Sequence, residues 1–348
     1  MHKADIYTHY PQGWFAVCFS SEIQPGQARA RKLMGKEFLL WRDDAGNAHL
    51  QDAYCPHLGT HLGHCGKVIG QKIQCPFHGL TFDGQGKCST TLKKMSQPHG
   101  KAVGLKTYPL VEQNGIIFSA FDSESTFAHW KMDPVDLSEY MPSRTAFFTL
   151  QSSPHEITEN TLDLRHFSAL HQYRGACLEY EANGQYLQVR TAIKRDGKLF
   201  GRSGLVNIET LTHHHGLGYA NVHILVTELG IRFCGFVLPT PIDNRHIELR
   251  FQLQMKSMDN VKQVHPLLRF MPNRWANKLV FRQSFKGFLL NVAEDLPIWQ
   301  TKTYLSEPAL SELDGPIPFY RQWASQFYLP VDSQSKKACV KENYDYTT

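Results

Sequence analysis

The stretch Cys55-Pro56-His57-Leu58-Gly59-Thr60-His61-Leu62-Gly63, followed by Cys75-Pro76-Phe77-His78-Gly79-Leu80-Thr81-Phe82-Asp83-Gly84, decides how the rest of the chain is read. Each half offers one thiol and one imidazole, at Cys-x-His and Cys-x2-His spacing, with seventeen residues between His57 and Cys75. Pro and Gly flank both pairs and favour tight loops. Outward from these loops, residues 11–121 read as short strands punctuated by turn signals. Phe38-Leu39-Leu40-Trp41 runs into Asp43-Asp44-Ala45-Gly46-Asn47, Leu80-Thr81-Phe82 runs into Asp83-Gly84-Gln85-Gly86, and Gly115-Ile116-Ile117-Phe118 closes the series. Gly, Asp and Asn supply the positive φ that tight hairpins need. A small all-β domain is therefore expected over 11–121.

Two Cys and two His admit two metal readings: tetrahedral zinc, or a [2Fe–2S] cluster in which two thiolates hold one iron and two imidazoles the other. The flanks separate them. Both strings resemble the paired loops of Rieske domains, where backbone N–H groups are aimed at the cluster sulfurs, and zinc ribbons rarely carry such flanks. Imidazole in place of thiolate removes negative charge and raises the potential, as an electron relay requires. The resemblance implies Cys55, His57, Cys75 and His78 as cluster ligands. Rieske proteins of respiratory chains brace the two loops with a disulfide, but Thr60 and Phe77 stand at the matching places here. That sides the domain with the oxygenase branch and suits a reducing compartment. Cys65 and Cys88 read as packing residues, His61 and His64 as loop residues.

Residues 122–153, with Pro134 and Pro142 and with Pro154 just beyond, read as an irregular linker into a second domain over 122–335. A polar tail, 336–348, is expected to fray. Residues 156–172 read helically and contain Glu159-Asn160-Thr161-Leu162-Asp163-Leu164-Arg165-His166-Phe167-Ser168-Ala169-Leu170-His171. Two His and a carboxylate with open positions form the facial triad of non-heme Fe(II) oxygenases. His166 and His171 are five apart, about 140° round an ideal helix, so a bulge or break is expected near Ser168-Ala169. Alone, His-x4-His suits an ordinary satisfied histidine pair. The preceding cluster motif favours metal, and Asn-x2-Asp-x2-His-x4-His resembles the iron motif of Rieske oxygenases along its whole length. The resemblance implies His166 and His171 as ligands of a mononuclear Fe(II). It implies Asp163 as a bridge to a cluster histidine of the neighbouring subunit, with Asn160 a further candidate catalytic residue. The third ligand is expected far downstream at Asp295, in Val292-Ala293-Glu294-Asp295-Leu296-Pro297-Ile298-Trp299, with Glu294 the alternative.

Strand patterns return at 185–190, 222–226, 233–238 and 245–255, and a last helical stretch covers about 276–304. The expected fold class is α+β: an all-β Rieske domain followed by a helix-grip catalytic domain, an antiparallel sheet with long helices. Such a sheet can enclose an apolar cavity, and Phe233, Phe236, Val237, Phe251, Phe281 and Phe285 are candidates to line it. The resemblance spans nearly the whole chain and is nearest to the steroid-acting branch, the 3-ketosteroid 9α-hydroxylases and cholesterol 7-desaturases. It implies a homotrimer and electrons from a separate NAD(P)H-dependent reductase or ferredoxin. The implied reaction is O2-dependent hydroxylation or desaturation of a bulky apolar steroid, sterol or terpenoid. Two rivals remain open: an oxygenase for a small aromatic, and a Rieske electron carrier fused to a lipid-binding domain.

Composition narrows the field. With 37 Lys and Arg against 32 Asp and Glu, interleaved throughout, the net charge of +5 gives no nucleic-acid footprint. The basic pairs are short, such as Lys93-Lys94 and Lys336-Lys337. No apolar run reaches the length of a membrane span, and no basic start with an apolar stretch marks a secretory signal. Eight cysteines in 348 residues are too few for a disulfide scaffold, so a cytoplasmic setting is expected. No Gly-x-Gly-x-x-Gly fingerprint occurs, which is why the reductase is placed on another chain.

Overall fold

The computed structural model describes residues 9–89, 103–121, 130–199, 202–261, 264–328 and 341–345. Lys93-Lys94 and Lys336-Lys337 lie outside them, as does 122–129 of the expected linker. Backbone contacts divide the chain into two units: Trp14–Val135 with Thr240–Asn244, and Asp136–Pro239 with Arg245–Thr348 and the first thirteen residues.

The first unit is built from short antiparallel strands. A four-stranded sheet runs β2-β3-β4-β8, from β2 (Ala28–Leu33), β3 (Lys36–Arg42), β4 (Ala48–Asp52) and β8 (Thr107–Tyr108). A second runs β1-β10-β9, from β1 (Gly13–Phe19), β9 (Leu110–Gln113) and β10 (Ile116–Phe121). A third, β5-β6-β7, comes from β5 (Lys67–Ile69), β6 (Lys72–Gln74) and β7 (Thr81–Asp83). Strand alternation in β3 feeds two cores at once. Phe38 and Leu40 pack with Val17, Leu50 and Ile117, while Leu39 and Trp41 pack with Ile73, Leu80, Phe82 and the two motif cysteines. Each such large side chain, once buried, contributes about 1.5–3 kcal/mol. Trp41 also donates to Gln51, whose amide donates to the Asp83 carbonyl, tying β4 to the end of β7. Both motif loops are thus rooted in one apolar cluster. The one-turn helix α1 (Leu62–Cys65) follows the first loop and takes in His64, expected in a loop.

The second unit is an eight-stranded antiparallel sheet in the order β11-β17-β16-β15-β14-β13-β12-β18. Its strands are β11 (Arg144–Gln151), β12 (Arg174–Asn183), β13 (Tyr186–Leu199), β14 (Arg202–His215), β15 (Ala220–Val226), β16 (Ile231–Pro241), β17 (His246–Met255) and β18 (Lys341–Asp345). Its helices are α2 (Pro154–Glu159), α3 (Leu164–Ala169), α4 (Asn273–Thr301) and α5 (Ile317–Ser325). The 29-residue α4 lays Ala276, Val280, Phe281 and Phe285 on Phe233, Leu253 and Met255, and Val292 and Trp299 on Ile247, Leu249 and Phe251.

Three expectations are corrected. Residues 144–151 of the expected linker form β11, in register with β17 from Arg144↔Leu253 to Gln151↔His246. Pro142 and Pro154 bracket this strand rather than break it, and Ala146, Phe148 and Leu150 alternate toward the core. The tail does not simply fray: Lys341–Asp345 pairs with Cys177–Glu181, satisfying backbone groups that β12 would otherwise present at an edge. Phe236 leaves the expected cavity wall because, one residue off the period of Phe233 and Val237, it faces the other side of β16 and stacks on Tyr219.

Candidate metal centres

The two cluster-motif loops repeat one hydrogen-bond pattern. In the first, Cys55 N–H donates to the Thr60 carbonyl at 2.9 Å and Gly59 N–H to the Cys55 carbonyl at 2.9 Å. In the second, Cys75 N–H donates to Leu80 at 2.7 Å and Gly79 N–H to Cys75 at 3.0 Å. Gly59 and Gly79 close the loops at φ +75° and +74°, a left-handed conformation that glycine alone adopts freely. Cys55 and Cys75 are buried side by side and hydrogen-bond each other. Burial, reinforced by the neighbouring thiol, pushes Cys55 up to about 11. Burial acts on Cys75 too, but the Phe77 and His78 N–H groups and the Thr60 hydroxyl outweigh it and hold the thiol down.

His57 and His78 face each other across the loops with ring centroids 4.4 Å apart at 77°. Among the described residues His57 Nδ1 is buried without a hydrogen-bond partner, a state that costs about 1–3 kcal/mol for a polar atom. Two adjacent thiols, two adjacent imidazoles and an orphaned ring nitrogen suit a [2Fe–2S] cluster with one iron on sulfur and one on nitrogen.

The second constellation draws on α2, α3 and α4 and the turns beside them. All six residues of α2 are buried, with Pro154 in its first turn and the Ser153 hydroxyl capping it. Its last residue, Glu159, is gripped by the Arg321 guanidinium of α5 through contacts of 2.7 and 3.2 Å. The chain then breaks over Asn160–Asp163 and restarts as α3, capped by the Asp163 carboxylate on His166 N–H at 3.2 Å. Gly315 packs directly on this turn, where a Cβ would come within 2.3 Å of the Leu162 carbonyl. The expected single helix is therefore two, and the second ends at Ala169. His171 sits beyond it, next to Gln172 in the left-handed region at φ +58°. Leaving the helix removes the 140° problem: the two rings end 5.4 Å apart.

His166, His171 and Asp295 offer ligand atoms that all lie within 4.8 Å of one another. His166 Nδ1 donates to the Asp163 carbonyl. A carbonyl can only accept, so the lone pair is left on Nε2, which lies 3.2 Å from the Asn160 amide. His171 Nδ1 meets Glu294 at 2.8 Å, and its Nε2 lies 3.4 Å from Asp295 Oδ2. With Nδ1 donating to Glu294, Nε2 and Asp295 are two acceptors facing each other, an arrangement a cation between them satisfies. Burial lowers His171, but the two carboxylates outweigh it and leave it raised. Burial dominates at His166 and lowers it. Asp295 is 11% exposed and faces the histidines, whereas Glu294 is 47% exposed and holds His171 from behind. The structure thus brings together Asn160, Asp163, His166, His171 and Asp295, and gives Glu294 a different place from the one weighed for it.

Three residues of this region were not anticipated. Tyr173 lies with its ring 5.9 Å from His171, Asn291 Nδ2 donates to the Tyr173 hydroxyl at 3.1 Å, and Arg195 donates to Asn291 Oδ1 at 3.2 Å. Tyr173, two residues past His171, and Asn291, one turn before Asp295, were the available signals. The triad opens on a cavity of about 810 Å3 walled by Ile193, Ile208, Ile224, Phe233 and Phe251 of the sheet and Phe288 of α4. Phe281 and Phe285, expected in that wall, instead pack in the core between α4 and the sheet.

Comparison with known proteins matches both halves of the chain. Residues 13–109 match the Rieske [2Fe-2S] domain and residues 116–328 the 3-ketosteroid 9alpha-hydroxylase C-terminal domain. A cholesterol 7-desaturase of Bombyx mori is 28% identical over 331 residues, covering 92% of this chain and 70% of the relative. The oxygenase component of a 3-ketosteroid-9-alpha-monooxygenase of Rhodococcus rhodochrous is 25% identical over 362 residues, covering 99% and 89%. Among solved structures, a Pseudomonas putida NdmA variant with theobromine superposes with a TM-score of 0.66 at 15% identity, covering 94% of this chain and 92% of that one. Dicamba monooxygenase bound to dicamba gives 0.63 at 15%, covering 91% and 97%. At that identity the structural likeness shows the fold. The cofactors of such proteins are a [2Fe–2S] cluster and a mononuclear iron, for which the two constellations have the donor sets. The chain belongs to the O2-dependent Rieske oxygenases whose second domain is of the 3-ketosteroid 9α-hydroxylase kind.

Proposed function

We propose that this chain is the terminal oxygenase of a multicomponent system and hydroxylates or desaturates an unactivated C–H bond of a steroid, sterol or terpenoid. In this reading Cys55, His57, Cys75 and His78 hold the cluster, and His166, His171 and Asp295 hold the iron. The observation that carries it is the triad forming one wall of an apolar cavity of about 810 Å3. That volume and the Ile and Phe lining suit a fused-ring hydrocarbon skeleton. The names of the relatives, a cholesterol desaturase and a ketosteroid monooxygenase, point the same way. Bound at the triad, ferrous iron would supply O2 activation using electrons delivered through the cluster. The residues themselves do the rest. Asp163 and Glu294 fix the two imidazoles with Nε2 toward the cavity, Asn160 places an amide beside His166, and the aliphatic walls orient the substrate and exclude water.

A separate NAD(P)H-dependent reductase, with or without a ferredoxin, delivers the electrons. The working assembly is a homotrimer in which the Asp163 carboxylate, 36% exposed, meets a cluster histidine of the adjacent subunit. No helix among the described residues is long and apolar enough to cross a membrane. A reducing, cytoplasmic setting goes with the unbridged cysteines of the described residues.

The test is a single turnover. The metal-loaded protein is reduced anaerobically and mixed with O2 and, in parallel, cholesterol, a 3-ketosteroid or a small methoxy aromatic. Products are read by mass spectrometry. Oxidation of a steroid or sterol is expected, and turnover of the small aromatic alone would defeat the substrate reading.

A further inference from the structure

Among the described residues, four side chains that can carry charge near neutral pH line the large cavity: His166, His171, Asp295 and Arg195. The first three form the triad, which leaves one guanidinium in a wall otherwise made of aliphatic, aromatic and neutral polar side chains. Arg195 projects from β13 on the face that carries Thr191 and Ile193. Its guanidinium carbon lies 5.4 Å over the Tyr173 ring, and Nη1 donates to Asn291 Oδ1 at 3.2 Å. Both partners are neutral. Because Asn291 also donates to Tyr173, the plane of the guanidinium is held at two points. A second cavity of about 360 Å3 shares Tyr173 and Arg195 with the first and is completed by Ser168, Gln172 and Arg174. Among the described residues its lining therefore has two guanidiniums, an amide and two hydroxyls, and no carboxylate.

A guanidinium can only donate hydrogen bonds and keeps its charge at any working pH. When an apolar molecule fills the cavity, water leaves Arg195, and a buried charge without a counter-charge is penalised. A neutral ligand leaves that penalty in place. An oxyanion removes it and can take two parallel N–H···O bonds from the fork. We infer that the substrate has an anionic end, a carboxylate or a sulfate ester, received by Arg195 where the two cavities meet beside Tyr173, with Arg174 adding positive charge nearby. The inference rests on the proposed reading of the large cavity as the steroid site and narrows it. The molecule lies with its skeleton along the sheet wall and its anionic end one residue removed from His171.

Binding is measured by calorimetry on the metal-loaded protein, with cholanic acid against its methyl ester and estrone sulfate against estrone. At least one anion is expected to bind tighter than its neutral partner by roughly tenfold or more, as a charge-assisted contact should give. The favoured pair tells carboxylate from sulfate. Arg195→Gln should erase the preference while leaving the neutral ligand within about threefold, Arg195→Lys should keep part of it, and Arg174→Gln should lower it less. High salt should shrink the preference in the wild type. Equal binding of acid and ester and of sulfate and estrone, or an undiminished preference in Arg195→Gln, overturns the inference. So does a change in sedimentation of Arg195→Gln with the preference intact, since the arginine would then serve a subunit contact. If none of the four steroids binds while a small methoxy aromatic does, the steroid reading of the cavity fails instead.

Discussion

The two candidate metal-binding regions are built by opposite routes. The cluster loops are near copies of one another, with the same pair of backbone hydrogen bonds and the same left-handed glycine, and their four donors span residues 55 to 78. Their geometry is local and rests on one small apolar cluster. The candidate iron site joins His166 and His171 to Asp295 on α4, and each imidazole is aimed by a partner, Glu294 from far along the sequence for His171 and the Asp163 backbone carbonyl for His166. Its geometry is the product of a framework: a buried α2, the Glu159–Arg321 pair, and the turn under Gly315. Local geometry fails by losing one ligand, whereas a site held by a framework also fails when the framework shifts.

The largest expected effects test whether the two regions are separable. Cys75→Ser should remove the visible and EPR signature of the cluster, and His171→Ala should remove the mononuclear iron with the cluster spectrum intact. Each should abolish product formation. Iron per chain in His171→Ala should fall from about three to about two. Parallel loss of both metals in either variant would show that the regions fold as one and that the contrast is wrong. Asp163→Asn is subtler. It keeps size and one acceptor, and the His166 Nδ1 contact runs through the backbone carbonyl, which the substitution leaves alone. Both metals should therefore stay bound. If the carboxylate meets a cluster histidine of the adjacent subunit, product formation should fall by about 10–100-fold, the usual cost of losing an outer partner of a metal-bound histidine, and single-turnover reoxidation of a pre-reduced cluster measures it. Wild-type reoxidation and yield would remove Asp163 from any bridging role.

This contrast also explains what could be read in the sequence. The candidate cluster donors could be picked out because their loops carry their own Pro, Gly and spacing. His166, His171 and Asp295 were placed by likeness to a family motif, and Asp295 was left beside Glu294 because neighbours on a helix differ only in direction. The packing of α4 turns Asp295 toward His171 Nε2 and Glu294 toward Nδ1, a difference that one sequence without its partners does not contain. The helix break was expected at Ser168-Ala169, but the chain also breaks at Asn160, where the Asp163 cap outcompetes helix continuation. Residues 144–151 passed for linker because prolines at both ends masked an alternating strand whose partner lies about a hundred residues away. Arg195 gave no signal at all, since a lone arginine in a strand is ordinarily solvated.

A middle-sized effect concerns the sheet that frames the iron region. His214 of β14 is 3% exposed, and burial, with help from the His215 and His213 charges, pushes it down to about 3. Folded protein therefore resists protonation while the unfolded chain takes a proton near the ordinary 6.5. The stability that the neutral ring preserves is complete above about pH 6.5 and is lost as pH falls toward 3. Between pH 6.5 and about pH 5 the loss is on the order of 2 kcal/mol. His214→Leu should flatten this part of the profile in urea melts taken across the window. An unchanged slope would mean that the ring is solvated in the folded state.

The smallest effect puts the contrast between the regions to its sharpest use, because one substitution should have opposite signs in them. Gly59, in a cluster loop, and Gly287, in α4, both have open space where a Cβ would go, with nothing within 4 Å. Sterics therefore do not distinguish them, and only backbone conformation does. Gly59 lies at φ +75°, where an L-residue is strained by about 1–2 kcal/mol, so Gly59→Ala should lower stability by about that much. Gly287 lies in the interior of a 29-residue helix with no positive φ, where glycine is worse than alanine by about 1 kcal/mol, so Gly287→Ala should raise stability by up to that amount. Gly287 also lines the large cavity, so the added methyl group narrows room that a bulky substrate would use. A raised melting temperature with a raised KM for steroid would show that this helix gives up propensity to keep the cavity wide. A raised melting temperature with KM unchanged would place the steroid deeper, nearer His171 and Tyr173. A lowered melting temperature would contradict the helical account of Gly287.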